Sequence, residues 1–411
     1  MEQQGKQGWS VVAVLFATMF LIWGPVNASG VFFLPVVKHF GWSRALFSLL
    51  VATAPLAAGF SSPAIGSLMD RYGERKIMIV GATMVALSYL ALSRADSAAA
   101  FFVTFVVLGV GITASTIIPA ALVITSLFRE QRGLALGIAF AGIPLGGTGI
   151  TILASRIVQR SGFRAGYFAM AIPILLIVIP LLALFMRTPP QRVAGGVTAA
   201  ALPGLEVSEA LRSRSFWMIA IAEVFFATAS VGLRVHLVPF LTGVGYSPTL
   251  AAEILGAMFV FSAIGSFAMG ALADRLGGRT TLSLVFFAGA AGIAALLGAS
   301  HLIGVAGFIL IFGLVRETHV LPIAITESLG AKRLGTLLGL LALFTTFGFA
   351  AGPVIAGRIF DRTGSYTGAL LLFVVLAVVS MLAMRATSPL AEETTRIDAG
   401  EAAPAEPVTL R

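Results

Sequence analysis

Two stretches of this chain that are otherwise mostly apolar hold five ionisable residues that could do chemistry together, besides Glu223, which lies nearer the inner end of its run and reads as interfacial. Arg316, Glu317 and His319 interrupt the run 303–328, and Arg234 and His236 interrupt the run 215–241. A guanidinium presents a planar fork of N–H donors that matches a carboxylate. Imidazole titrates near neutrality, and a carboxyl group held away from water can be shifted there. Groups of these types could bind a small organic anion and pass a proton in the same cycle. Helical spacing sorts them: Arg316 and His319 share a face, whereas Glu317 points about 100° away from Arg316. If Glu317 neutralises one of the two arginines, one cation remains, which suits a monoanion better than a dianion. A plainer alternative is an internal Arg–Glu pair that pins the two stretches together.

The elements that must hold these groups follow from composition. The chain has 411 residues, 58% hydrophobic and 11% charged, with a mean hydropathy of +0.99. A soluble protein carries about 25% charged residues, so this chain belongs in a bilayer. There is no cysteine, which excludes a disulfide scaffold, thiolate metal sites and cysteine nucleophiles. A spanning helix needs about 20 mostly apolar residues. Twelve such segments emerge, at 10–36, 44–68, 77–94, 98–127, 133–158, 164–186, 215–241, 248–272, 281–299, 303–328, 334–358 and 366–385. The expected organisation is an N-terminal six-helix bundle (1–186), a polar linker (187–214), a C-terminal six-helix bundle (215–385) and a disordered tail (386–411). In such a setting an arginine near the bilayer centre costs about 2.5–3.5 kcal/mol, so Arg234 and Arg316 must face water or a counter-charge.

With the N-terminus inside, 17 of the 27 Lys and Arg residues fall in cytoplasmic segments, eight fall outside and two lie within spans. The positive-inside rule then puts both termini in the cytoplasm of a cell whose inner membrane holds the protein. The formal net charge of +9 is a topology signal, spread over short loops without interleaved aromatics, and it argues against a nucleic-acid surface.

The halves repeat. Gly66, Asp70, Arg71, Gly73 and Arg75 return as Gly270, Asp274, Arg275, Gly277 and Arg279, each displaced by 204 residues. Pro35 and Gly41 return as Pro239 and Gly245 at the same displacement, and Arg156, Arg160, Gly162 and Gly166 return as Arg358, Arg362, Gly364 and Gly368 at 202. A duplicated six-helix unit in parallel orientation explains this. Aligned through the repeat, Arg234 stands where the first half has Gly30, and Arg316 where it has Thr113.

This pattern resembles the major facilitator superfamily, whose signature Gly-x-x-x-Asp-Arg-x-Gly-x-Arg lies between the second and third helices. Gly8-Trp9 entering the first helix, and the run Phe128 to Gly142 entering the fifth, are similar to monocarboxylate transporter homologues. The resemblance implies an all-α membrane fold of twelve helices in two pseudo-symmetric bundles, with helices 1, 4, 7 and 10 lining a central cavity. Asn27, Thr113 and Thr116 would join Arg316, Arg234 and His319 as substrate contacts, with Glu317, His319 and His236 as proton-coupling groups. By the same resemblance Asp70, Arg71, Arg75, Asp274, Arg275 and Arg279 would latch the inside-closed state. Lactate-carrying members have an arginine in helix 8, where this chain has Ser266. Gly348 to Pro353 in helix 11 looks like the antiporter signature of drug exporters, which belongs to helix 5 there.

No P-loop, metal-spacing cluster or nucleophile motif appears, so neither an enzyme nor a cofactor is expected. The expectation is a monomeric secondary transporter for a small organic anion, plausibly a monocarboxylate with a proton. The alternatives are dicarboxylate-type anion exchange and efflux by antiport.

Overall fold

In a computed structural model, residues 2–128, 131–186, 203–315 and 319–401 are described. They form helices throughout. The first crossing is α1 (Glu2–Asn27) and α2 (Ser29–Phe40), followed by α3 (Arg44–Tyr72) and α4 (Glu74–Arg94). The fourth is α5 (Ala98–Ser115) with α6 (Ile117–Leu127), and α7 (Arg132–Pro173) and α8 (Ile179–Phe185) complete the first half. A short helix, α9 (Val207–Arg212), leads into α10 (Arg214–Val244), α11 (Pro248–Leu276) and α12 (Gly278–Ala295). The second half ends with α13 (Leu302–Gly313), α14 (Leu321–Ser328), α15 (Leu334–Thr363) and α16 (Thr367–Arg385), and α17 (Leu390–Glu401) follows.

Among the described residues, ten helical runs are long and apolar enough to span a bilayer. One of them, 132–185, makes two crossings. Gly162 is non-helical (φ 80°, ψ 170°), and a Cβ on Gly166 would stand 2.7 Å from Val158. Residues eight apart in a straight helix are about 12 Å apart, so the chain doubles back there. The tenth crossing is α13 and α14 in succession, which completes the twelve segments read from the sequence. Large apolar side chains such as Leu49 and Leu176, 65% and 70% exposed, lie on the outside of the bundles. They face lipid, where only helices that satisfy their own backbone groups are tolerated.

The repeat extends to local geometry. Ser43 and Ser247, 204 apart, each cap the helix that follows by accepting the N–H of the third residue on, Leu46 and Leu250. Gly73 and Gly277, ending α3 and α11, have φ of 82° and 83°, a conformation that disfavours any side chain.

The halves meet along two seams related by the same repeat. On one, α3 packs against α15: a Cβ on Gly66 would stand 2.2 Å from the Gly335 carbonyl oxygen, and one on Gly339 would stand 2.3 Å from that of Ser62. On the other, α11 packs against α7: the corresponding distances are 2.1 Å from Gly270 to Gly133 and 2.2 Å from Gly137 to Ser266. Helices approach so closely only where hydrogen replaces a side chain. The α3–α15 seam runs from the signature loop as far as Gly59 with Thr346 and Phe60 with Phe347, whose ring centroids are 6.1 Å apart. Beyond that level the described residues give no hydrogen bond, ring contact or backbone approach between the halves. Gly30 and Gly256 there face open space. The molecule is closed at the signature-loop end and open at the other.

Composition suggested a tail without structure, but its described part contains α17. Glu393, 1% exposed, accepts a hydrogen bond from the Ser215 hydroxyl at 2.5 Å, and Ser215 accepts the Ser388 N–H at 2.8 Å. A buried carboxylate with a hydroxyl partner fixes a segment that its polar composition would leave loose. The latter part of the linker is also docked, with Glu206 paired to Lys332 at 3.1 Å and to Arg333 at 2.9 Å.

Candidate substrate site

The open half is lined by crossings that break midway. The first breaks at Ala28 between α1 and α2, the fourth at Thr116 (φ −122°, ψ −103°), and the tenth between Gly313 and Leu321. Such interruptions turn backbone groups toward a cavity, the usual construction of a transporter site. The seventh crossing, α10, is continuous and carries its chemistry on side chains.

Arg234 is half-buried on α10. Its Nε donates to the Ser230 carbonyl at 3.1 Å and an Nη to the Ser230 hydroxyl at 3.3 Å, which hold the guanidinium against its own helix. The repeat-related Gly30 faces open space, so this position of the fold looks into the cavity. His236, two residues on, points elsewhere. Its Nε2 lies 3.0 Å from the Pro353 carbonyl and its Nδ1 3.1 Å from the Tyr366 hydroxyl. A carbonyl can only accept, so Nε2 carries the proton and Nδ1 accepts from Tyr366.

The other expected contacts are placed less evenly. The Asn27 amide donates to the Ile143 carbonyl at 3.4 Å from the exposed end of α1. Thr113 donates to the Ala58 carbonyl at 3.1 Å, and Thr116, buried, to that of Ile112 at 2.7 Å. The Thr113 hydroxyl ties α5 to α3, whereas that of Thr116 stays within its own crossing. His319 is fully buried, its ring edge-on to Phe140 at 5.0 Å between centroids, and thus bridges the halves. Arg316 and Glu317 lie outside the described residues.

The signature residues divide by role. Asp70 accepts the Thr336 N–H at 3.1 Å and its hydroxyl at 2.8 Å, and Asp274 accepts the Gly133 and Leu134 N–H groups at 2.7 and 2.9 Å. Each carboxylate therefore caps the first turn of a helix in the opposite half, where orphan N–H groups and the positive end of the helix dipole favour an anion. Arg75 donates to the Ala183 carbonyl, and Arg279 to the Thr387 hydroxyl at 3.0 Å and to its carbonyl. Those acceptors are also 204 apart. Arg71 lies over the Tyr72 ring at 5.2 Å and is exposed, as is Arg275 in the last turn of α11. Sequence reasoning singled out Gly66, Gly270 and the run through Gly133 and Gly137 but missed Thr336 and the pairing of these glycines across the seams. Gly133 with Gly137 and Gly335 with Gly339, four apart and displaced by 202, were the available signal.

Two repeated six-helix halves, joined by carboxylate caps at one end and carrying an intramembrane arginine toward the other, define a membrane transporter. The Major Facilitator Superfamily model matches residues 12–322, and the chain belongs to that family. It is 25% identical over 369 residues to monocarboxylate transporter 13 of Bos taurus, covering 88% of this chain and 85% of that protein. It is also 25% identical over 282 residues to the oxalate:formate antiporter of Oxalobacter formigenes, covering 68% of this chain and 66% of that one. Among solved structures, the fucose:proton symporter of E. coli superposes with a TM-score of 0.72 at 18% identity, covering 91% of this chain and 97% of that one. That likeness concerns the fold.

Proposed function

We propose that this transporter moves a small organic anion, a monocarboxylate together with a proton, across the cytoplasmic membrane, with signature loops and both termini on the cytoplasmic side. Arg234 is the observation that carries this reading. It places a permanent cation inside a span, toward its outer end, where a carboxylate would find a charge-assisted fork of donors. Arg316 and Asn27 are the companion substrate contacts in this reading. Glu317, His319 and His236 are groups able to change protonation during the cycle. The similarity to proteins named monocarboxylate transporter and oxalate:formate antiporter supports an anionic cargo.

The test is uptake of labelled formate, acetate, lactate, pyruvate and oxalate into proteoliposomes, driven by an imposed pH gradient or by preloaded anion. Accumulation under the pH gradient is the expected result. Uptake driven by preloaded anion alone would favour exchange, the second reading, which the antiporter likeness supports. Failure to carry any of these carboxylates under either condition would overturn the anion assignment.

A further inference from the structure

The positive-inside rule depletes Lys and Arg from the side opposite the signature loops, yet one basic group there recurs in both halves. Arg156 and Arg160 stand near the end of the first leg of α7, and Arg358 and Arg362, displaced by 202, near the end of α15. All four are exposed. Their helices are the ones that form the two seams. In each pair the first arginine lies 19 residues and the second 23 residues past a seam glycine, Gly137 or Gly339. That is about 29–35 Å further along the helix. The pairs therefore stand at the open end and present their charge there from both halves.

Other uses account for only part of this charge. Arg160 and Arg362 lie two residues before Gly162 and Gly364, where the helical geometry ends, and suit the negative end of a helix dipole. Arg156 and Arg358 lie six residues before those glycines, outside the last turn in which that effect is felt. Ion pairing does not absorb the charge either. By sequence the open end has eight Lys and Arg residues against three acids, Asp96, Glu253 and Asp361. Asp96 is paired with Arg164, and Glu253 is exposed near the start of α11. Asp361 falls between Arg358 and Arg362, while its counterpart in the first half is Gln159, so one acid accompanies four guanidinium groups.

A cleft with low-dielectric walls and cations at its mouth focuses field lines and raises the local concentration of anions. We propose that Arg156, Arg160, Arg358 and Arg362 form an electrostatic funnel that draws anions into the open half, an inference that rests on the anion reading for the cargo it serves. The funnel acts on the encounter and needs no contact with the bound substrate, whereas Arg234, deeper on α10, holds the anion in that reading. Its strength grows with the charge of the incoming molecule. It also fades as the Debye length shrinks from about 30 Å at 0.01 M salt to about 3 Å at 1 M.

The chain has no cysteine, and Gly30→Cys, at a position whose Cβ meets open space, supplies one thiol in the open half. Its labelling by sulfonatoethyl and by trimethylammonioethyl methanethiosulfonate, which carry opposite charges, reads the local potential directly. The ratio of the two rates cancels any change in how often the cleft opens. In phosphatidylcholine vesicles at about 10 mM salt, changing all four arginines to Gln should lower the anionic-to-cationic ratio about tenfold, about threefold from each reagent. At about 0.5 M salt the difference should shrink below about twofold. Changing all four to Lys should leave the ratio within about twofold of its starting value. Arg156→Gln with Arg160→Gln, or Arg358→Gln with Arg362→Gln, should each lower it about threefold, and these milder variants carry the test if the fourfold one fails to fold. Uptake of a labelled carboxylate at low salt should lose about threefold through KM, and oxalate should lose more than formate. An unchanged labelling ratio at low salt, a fall that survives about 0.5 M salt, or an equal fall in the Lys variant would each overturn the funnel. Wild-type vesicles that carry no carboxylate would refute the substrate reading, and the labelling ratio would still decide the funnel.

Discussion

Asp70→Ala should move the balance between the two faces of the transporter while barely touching its substrate site. Asp70 accepts two hydrogen bonds from Thr336, near the start of α15. Bonds to a charged acceptor contribute about 1.5–3 kcal/mol each. When the seam opens, however, both partners meet water, so the net preference for the closed end is about 2 kcal/mol rather than the sum. That is about a 30-fold change in the equilibrium between states. A protein resting about 30:1 in the state closed at the signature-loop end would fall to about 1:1. The chain contains no cysteine, so single cysteines are unambiguous reporters. Gly30→Cys, facing open space, should label about half as fast in the Asp70→Ala background. Leu122→Cys, 3% exposed beside Gly335, should label about 15-fold faster. Apparent substrate affinity should weaken only about twofold, because the competent fraction falls by that factor. Unchanged labelling at both sites, or a large loss of affinity without a labelling shift, would refute the capping argument.

Gly137→Val is expected to oppose closure sterically, since its Cβ would stand 2.2 Å from the Ser266 carbonyl; labelling of Leu122→Cys should rise and transport should slow. Arg234→Gln should raise the KM for a carboxylate by about 30-fold, the equivalent of about 2 kcal/mol for a lost charge-assisted contact, with Arg234→Lys intermediate. Ser215→Ala should destabilise the tail docking by about 1–3 kcal/mol, because the buried Glu393 loses its hydroxyl donor, and limited proteolysis after residue 385 would report it. Hydrogen bonds from Arg333 and then Lys332 hold the Glu206 carboxyl below its ordinary value of 4.5. A depressed acid contributes stability that is fully present above that value and fades as pH falls through the lower folded-state value. Protease cleavage of the linker should therefore be flat near neutrality and rise only in strong acid.

The crossings were legible because each is an apolar run bounded by charge or glycine. The repeat was legible because Asp70 and Arg75 have identical counterparts. Helix pairing across the seams was not. Gly137 meeting Ser266 is a contact between residues 129 apart, and no local period encodes it. Side-chain direction was also hidden: Thr113 and Thr116 sit on the expected helix, but their hydroxyls turn to nearby carbonyls, as serine and threonine do when no other acceptor is closer.

The clamps of Arg75 on Ala183 and Arg279 on Thr387 carry a practical consequence for anyone attaching a reporter to this protein. The acceptor in the second half lies past Arg385, where the last span ends. A fluorescent protein or affinity handle joined directly there would remove the acceptor and leave a guanidinium at the membrane surface without it. Joined beyond Arg396, the same handle would leave both clamps and the Glu393 lock untouched.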